Sequence, residues 1–268
     1  MNSKHDIILK IYFEKLKYFN YSERTIEIYV HYVSKFLESV DKYYQHLVSS
    51  DFQNYLNDYK FSSISQQNQI INAIKFLYEK VLNKKYQKIS FERPRKEYHL
   101  PRVIEKTTLL QKIELIQNLK HRAILSIAFS IGLRVSEVCN LKISDIDSKR
   151  MLITIQNGKG KKDRIVPLTE KLLNILRHYY KEYQPKELLF EGQFGGKYSP
   201  RSCEQIIKKY IDKSSGFHML RHSCFTSMIE SGTDIRIIQK IAGHKSVKTT
   251  QIYTHISNEC MRNAAMPL

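Results

Sequence analysis

Between Lys84 and Lys106 the apolar periodicity that runs through the rest of the chain stops. Pro94 and Pro101 break any helix there, and Lys84, Lys85, Lys88, Arg93, Arg95, Lys96 and Arg102 crowd the same stretch. A chain of 268 residues interrupted in this way is expected to fold as two bodies, each long enough for its own core. The expected division is residues 1–84, a basic linker over 85–106, and residues 107–268. The linker reads either as a solvated connector or as a strap lying along a polyanion backbone.

Ahead of the linker every segment reads as helix. Ile7, Ile8, Ile11, Phe13 and Leu16 keep near-helical spacing over 7–18, and Ser22 is placed to cap a second helix through Ile26, Val30, Val33 and Leu37. A short third helix is expected over 51–59. A fourth carries Ile70, Ile71, Ile74, Leu77 and Val81, with Ser62 or Ser65 as its cap. Four helices on short polar links make a small bundle.

Beyond the linker the pattern is mixed. Helices are expected over 109–119 with Thr107 as cap, over 121–129, and from Gly132-Leu133-Arg134 onward. Strands over 151–156 and 164–168 flank a glycine-lysine turn, Asn157 to Asp163, and so read as a hairpin. A helix capped by Thr169, a short extended piece over 187–192, and a helix started by Ser199 or Ser202 follow. Three more helices are expected over 217–232, over 234–242 with Thr233 as cap, and over 247–255. The fold class is therefore mainly α, with a small β-hairpin or sheet in the C-terminal domain.

Charge narrows the partner. The chain carries 44 Lys+Arg against 26 Asp+Glu, a formal +18 at pH 7. Residues 1–97 hold 16 Lys+Arg against 11 Asp+Glu, and residues 98–268 hold 28 against 15, so the second half is the more basic. Such an excess points to a polyanion, most simply nucleic acid. No apolar run approaches the ~18 residues of a membrane span. The polar start Met1-Asn2-Ser3-Lys4 does not read as a secretion signal, and four cysteines scattered without CxxC pairing fit reduced thiols rather than a zinc site. A cytoplasmic protein is the expectation.

The chemistry-bearing residues gather late. On a helix over 217–232, His218, Arg221 and His222 fall at i, i+3 and i+4 on one face, with Leu220 and Cys224 turned toward a core. Ala242-Gly243-His244 and Tyr253-Thr254-His255 follow. Two imidazoles and a guanidinium on one face suit an anion. Arg134 has Glu137 three residues on to hold a partner by hydrogen bonding, and Lys159 sits between glycines at the hairpin tip.

Taken in order, GLRVSE at 132–137, GKGKKDR at 158–164, HMLRH at 218–222, GH at 243–244 and TTQIYTH at 249–255 resemble the motifs of the tyrosine recombinase (integrase) family, across most of the second domain. The helical N-terminal half is similar to that family's SAM-like core-binding domain in size and type, and the two domains are then expected to clamp DNA. The resemblance implies that Tyr253 attacks the scissile phosphate to give a 3′-phosphotyrosyl link. Arg134 and Arg221 would grip the non-bridging oxygens, Lys159 would protonate the leaving 5′-oxygen, His218 would assist proton transfer and His244 would hydrogen-bond the phosphate. Glu137 and His222 would support them. Lys161, Lys162 and Arg164 would touch backbone phosphate or water. Neither metal nor cofactor is implied. Partners implied are a double-stranded recombination site, a dimer on each site and a tetramer in the synapse, with a second recombinase or an accessory protein as a further partner in some systems.

Two other readings stay open on sequence alone. A type IB topoisomerase uses similar chemistry. A DNA-binding regulator would use residues 234–253 as a helix-turn-helix, which leaves Arg134, Lys159 and the His218 helix unexplained.

Overall fold

The computed structural model describes residues 3–40, 42–84, 101–156, 163–244 and 246–254. The chain divides into two compact units, Met1–Tyr98 and His99–Leu268, each built on its own hydrophobic cluster. No helix among the described residues is long and apolar enough to cross a membrane.

The first unit is the expected four-helix arrangement: α1 (Ser3–Tyr18), α2 (Glu23–Ser39), α3 (Ser49–Asp58) and α4 (Ile64–Phe76). Ser22 caps α2, accepting the Thr25 N–H at 3.3 Å. The cap of α4 is Ser63, between the two serines considered, and it accepts from Gln66 N–H at 3.1 Å. The helix then widens into a π turn, Leu77–Val81, closed by Leu82 N–H on Leu77 O at 3.0 Å. Inside, Phe36 stacks on Phe52 with centroids 4.8 Å apart, and the buried Tyr12 hydroxyl donates to Ala73 O at 2.9 Å, which satisfies the one polar atom that ring brings into the core.

The second unit is organised around a helix that is apolar nearly all round. After α5 (Lys106–Glu114) comes α6 (Leu119–Ile131), in which every residue from Ala123 to Phe129 is buried. A helix without a polar face belongs at the centre of its domain, and α6 packs against α5, α8 and α10. The short α7 (Val135–Asn140) leads into a three-stranded antiparallel sheet of order β1-β2-β3: β1 (Ile146–Asp147), β2 (Leu152–Ile155) and β3 (Arg164–Pro167). The helices α8 (Glu170–Tyr183), α9 (Pro200–Tyr210), α10 (His218–Glu230) and α11 (Ile235–Ala242) complete it.

Several expectations are corrected at element ends. Glu105, not Thr107, caps α5, its carboxylate accepting the N–H groups of Thr107 and Thr108 at 3.2 and 3.3 Å. That helix stops at Glu114, and Asn118 caps the next. Asp234 rather than Thr233 caps α11. The helix expected over 247–255 is replaced by two 3₁₀ turns, Val247–Thr249 and Gln251–Tyr253. Val247, Thr249, Thr250 and Ile252 are β-branched and disfavour a regular α-helix. The extended piece near 187–192 makes only single bridges, Lys142 with Leu188 and Glu191 with Lys197.

Candidate active site

Two helices end in left-handed glycines, and both ends face Arg221. Helix α6 closes at Gly132 (φ 64°), with Leu133 N–H returning to Ala128 O at 3.2 Å. Helix α11 closes at Gly243 (φ 63°), with Gly243 N–H on Lys240 O and His244 N–H on Gln239 O, each at 3.1 Å. The second pattern is a Schellman motif, which only glycine enters without strain. It uses two of the orphan carbonyls at the end of α11 and leaves those of Ile241 and Ala242 exposed to donors.

Arginines take them. Arg221 Nη2 donates to Ala242 O at 2.6 Å, its Nη1 donates to Gly132 O, and its guanidinium lies 4.7 Å from the centroid of the Phe225 ring. Arg164 Nε donates to Ile241 O at 2.7 Å, and Arg134 Nη2 reaches Ala242 O at 3.4 Å. The negative end of a helix dipole thus helps hold three cations close together. Burial among other arginines has a cost: it brings the Arg221 guanidinium down to about 10, first through lost solvation and then through the Arg134 charge.

Glu137 offsets that repulsion. Its carboxylate accepts the Arg134 backbone N–H and the Arg134 Nη1 at 2.8 Å each, and both Nη1 and Nη2 of Arg164 at 2.8 Å each. Burial alone would raise the carboxyl, but the two guanidiniums win and hold it at about 2. Arg164, expected at DNA backbone or water, is held in this structure by Glu137. Its side chain is 8% exposed and committed to Glu137. Strand geometry explains why: residues two apart share a face, so Arg164 points with the buried Val166 while Ile165, at 62%, points out.

Tyr253 is 1% exposed, in the same cluster. Its ring contacts those of His222 and Phe225, with centroids 5.6 and 5.4 Å away, and lies parallel to His244 at 6.4 Å with 10° between planes. Burial raises the phenol and the Arg221 charge pulls it back. His244 bridges Arg221 Nη2 at 3.1 Å and Thr250 Oγ1 at 2.9 Å. His222 is half-buried against His218, centroids 4.6 Å apart, and is pushed down to about 4 by burial, then by the His218 and Arg221 charges. His218 is exposed at the start of α10.

Arg134, Glu137, His218, Arg221, His222, His244 and Tyr253 are therefore brought together, although the first and last stand 119 positions apart in the chain. Lys159, Lys161 and Lys162 lie outside the described residues, as do His255 and the tail. Three participants escaped sequence reasoning: Thr250, Phe225, and Arg164 in its inward role. A signal existed for each, since Thr250 precedes Tyr253 by three, Phe225 follows Arg221 by four, and Arg164 alternates with Val166. The helix-turn-helix alternative loses its second helix, because 3₁₀ turns occupy that stretch.

A family model described as the phage integrase family matches residues 103–259, and one described as the phage integrase N-terminal SAM-like domain matches residues 8–88. Tyrosine recombinase XerA of Pyrococcus horikoshii is 34% identical over 254 residues, covering 91% of this chain and 87% of that protein. Tyrosine recombinase XerC of Bacillus subtilis is 27% identical, covering 92% and 90%. A crystal structure of XerA recombinase is 31% identical with a TM-score of 0.55 over 96% of both chains. The post-cleavage complex of XerH with a palindromic difH substrate is 23% identical and matches in fold, with a TM-score of 0.70 over 89% of this chain and 78% of that one. The chain belongs to the phage integrase family: it is a Xer-like tyrosine recombinase, a site-specific enzyme that cleaves and rejoins DNA.

Proposed function

We propose that Tyr253 is the nucleophile and that Arg134 and Arg221 hold the scissile phosphate. The phenolic oxygen bonds to phosphorus, the bond to the 5′-oxygen breaks, and Lys159 gives that oxygen its proton. The product is a 3′-phosphotyrosyl link and a free 5′-hydroxyl, so the bond energy is kept for rejoining. Planar guanidiniums supply the charge stabilisation. His218 and His244 supply proton transfer and a phosphate hydrogen bond, while Glu137 and His222 support them; Lys161 and Lys162 meet the DNA backbone. The observation that carries this reading is the gathering of Arg134, Arg221, His244 and Tyr253 at the ends of α6 and α11.

Because Tyr253 and Arg221 are each 1% exposed, reaction requires the Gln251–Tyr253 turn to shift and phosphate oxygens to replace the carbonyl partners of Arg221. Both domains bind the duplex as a clamp. Two protomers occupy each recombination site, four form the synapse, and strands exchange in pairs through a Holliday junction, with a second recombinase or accessory protein recruited where the site demands it. The use is integration, excision or dimer resolution, in the cytoplasm, where buried thiols such as Cys139, Cys203 and Cys224 stay reduced. Nicked suicide duplexes drawn from DNA flanking the gene test the chemistry. Wild type should form a covalent protein–DNA adduct and Tyr253→Phe none; an adduct on the Phe chain would assign a different nucleophile. Efficient relaxation of a plasmid without a recombination site would favour the topoisomerase reading.

A further inference from the structure

His244 hangs between two side chains whose chemistry fixes its proton. Arg221 Nη2 lies 3.1 Å from Nε2, and Thr250 Oγ1 lies 2.9 Å from Nδ1. A guanidinium has only N–H donors, so the ring nitrogen it meets must present a lone pair. The imidazole proton therefore sits on Nδ1, and the Thr250 hydroxyl accepts it. Thr250 is 0% exposed. Its N–H donates to Val247 O at 2.7 Å and its carbonyl accepts Tyr253 N–H at 3.1 Å. The hydroxyl that orients His244 is thus fixed by the turn that carries the phenol.

Building on the assignment of Tyr253 as nucleophile, we propose that Thr250 is a positioning residue that holds His244 as its Nδ1–H tautomer, and that His244 Nε2 accepts the phenolic proton. When phosphate oxygens take over the Arg221 N–H groups, Nε2 is released with its lone pair facing the site. The Tyr253 O–H bond breaks as an Nε2–H bond forms, and the electron pair left on oxygen attacks phosphorus. The resulting imidazolium keeps Nδ1–H on Thr250 and offers its new Nε2–H to a non-bridging phosphate oxygen. One residue thereby serves as proton acceptor first and phosphate donor afterwards. On rejoining, its Nε2–H proton returns to the phenolic oxygen as that oxygen leaves phosphorus, with the exposed His218 assisting both transfers.

Two measurements on the full chain test this. In two-bond proton–nitrogen spectra of the histidine-labelled, DNA-free protein, the His244 signals, assigned by their loss in His244→Gln, should show a protonated Nδ1 and a bare Nε2. Thr250→Val should mix the tautomers and Thr250→Ser should keep the wild-type one. On the suicide duplexes, Thr250→Val should slow covalent capture by about 10- to 100-fold at unchanged DNA affinity, a share of the ~10²–10⁴ that positioned proton transfer contributes, and Thr250→Ser should restore it. A protonated Nε2 in the wild type would overturn the proposal, as would wild-type capture by Thr250→Val. Equal losses in the Ser and Val chains would reduce Thr250 to packing. A Tyr253→Phe chain that still forms an adduct would overturn the acceptor role through the nucleophile, whereas the nitrogen spectra judge the tautomer independently.

Discussion

Arg164 and Glu137 meet fork to fork, both terminal nitrogens of the guanidinium lying 2.8 Å from the two carboxylate oxygens. The pair is nearly dry, with side-chain exposures of 8% and 4%. Glu137 is held at about 2 against an ordinary 4.5. A carboxyl depressed in the folded state gives stability that is complete above its unfolded value and is lost as pH falls through the folded one. Wild type should therefore lose stability between about pH 4.5 and pH 2, and Glu137→Gln should lose much of that slope while being weaker by about 3–5 kcal/mol at neutral pH, the usual cost of stranding buried partners. Denaturant titrations across that range check both statements.

Arg221 offers a test of fork against point charge. Lysine keeps one positive charge but loses the planar pair of donors that reaches Gly132 O and Ala242 O together. Arg221→Lys should bind duplex within a few-fold of wild type, because bulk affinity comes from many phosphates. Its covalent capture rate should drop by about 10²-fold or more, as when a preorganised donor is removed from a charged transition state. Gel-shift and suicide-substrate assays separate the two effects.

The left-handed glycines differ in what surrounds them. A Cβ at Gly132 would sit 2.5 Å from Phe225 Cζ, one at Gly243 would sit 3.1 Å from Arg164 Cδ, and one at Gly232 would meet nothing within 4 Å. All three have positive φ, so each alanine costs about 1–2 kcal/mol in backbone strain. Gly132→Ala should add about 1–3 kcal/mol of overpacking against the ring beneath Arg221. The expected order of melting temperatures is Gly232→Ala above Gly243→Ala above Gly132→Ala, read by calorimetry.

His222 should behave as a neutral side chain. Its imidazole is pushed down to about 4, from 6.5, by burial and by the His218 and Arg221 charges. Between those values the unfolded chain binds a proton that the folded chain refuses, so stability falls as pH drops from about 6.5 toward 4. His222→Asn should flatten that part of the profile. A His222 resonance that titrates near pH 6.5 would contradict the burial described here.

Much of this was legible in the amino-acid order, for physical reasons that also mark where legibility stops. Ser22, Thr169 and Ser199 cap helices because a short side-chain acceptor next to an apolar-periodic run has one good use. Near Thr107 the same logic failed, since Glu105 starts the helix two residues upstream by accepting the N–H groups of Thr107 and Thr108. The gathering of Arg134, Arg221, His244 and Tyr253 was expected from motif order. The division of one carboxylate between Arg134 and Arg164 was not, because the strand residue that completes it is 27 positions away and its contact depends on sheet register. A helix was likewise expected where β-branched residues settle into two 3₁₀ turns.

Glu137 is a single anion set among Arg134, Arg164 and Arg221. Three fixed cations against one fixed anion leave a surplus of two. On the proposed chemistry, a bound phosphodiester would neutralise one of these, and the second would remain for the additional negative charge, about one more, that gathers on the equatorial oxygens as the fifth bond to phosphorus forms. On that reading the pocket is over-compensated for the resting DNA backbone and balanced for the moment of transfer.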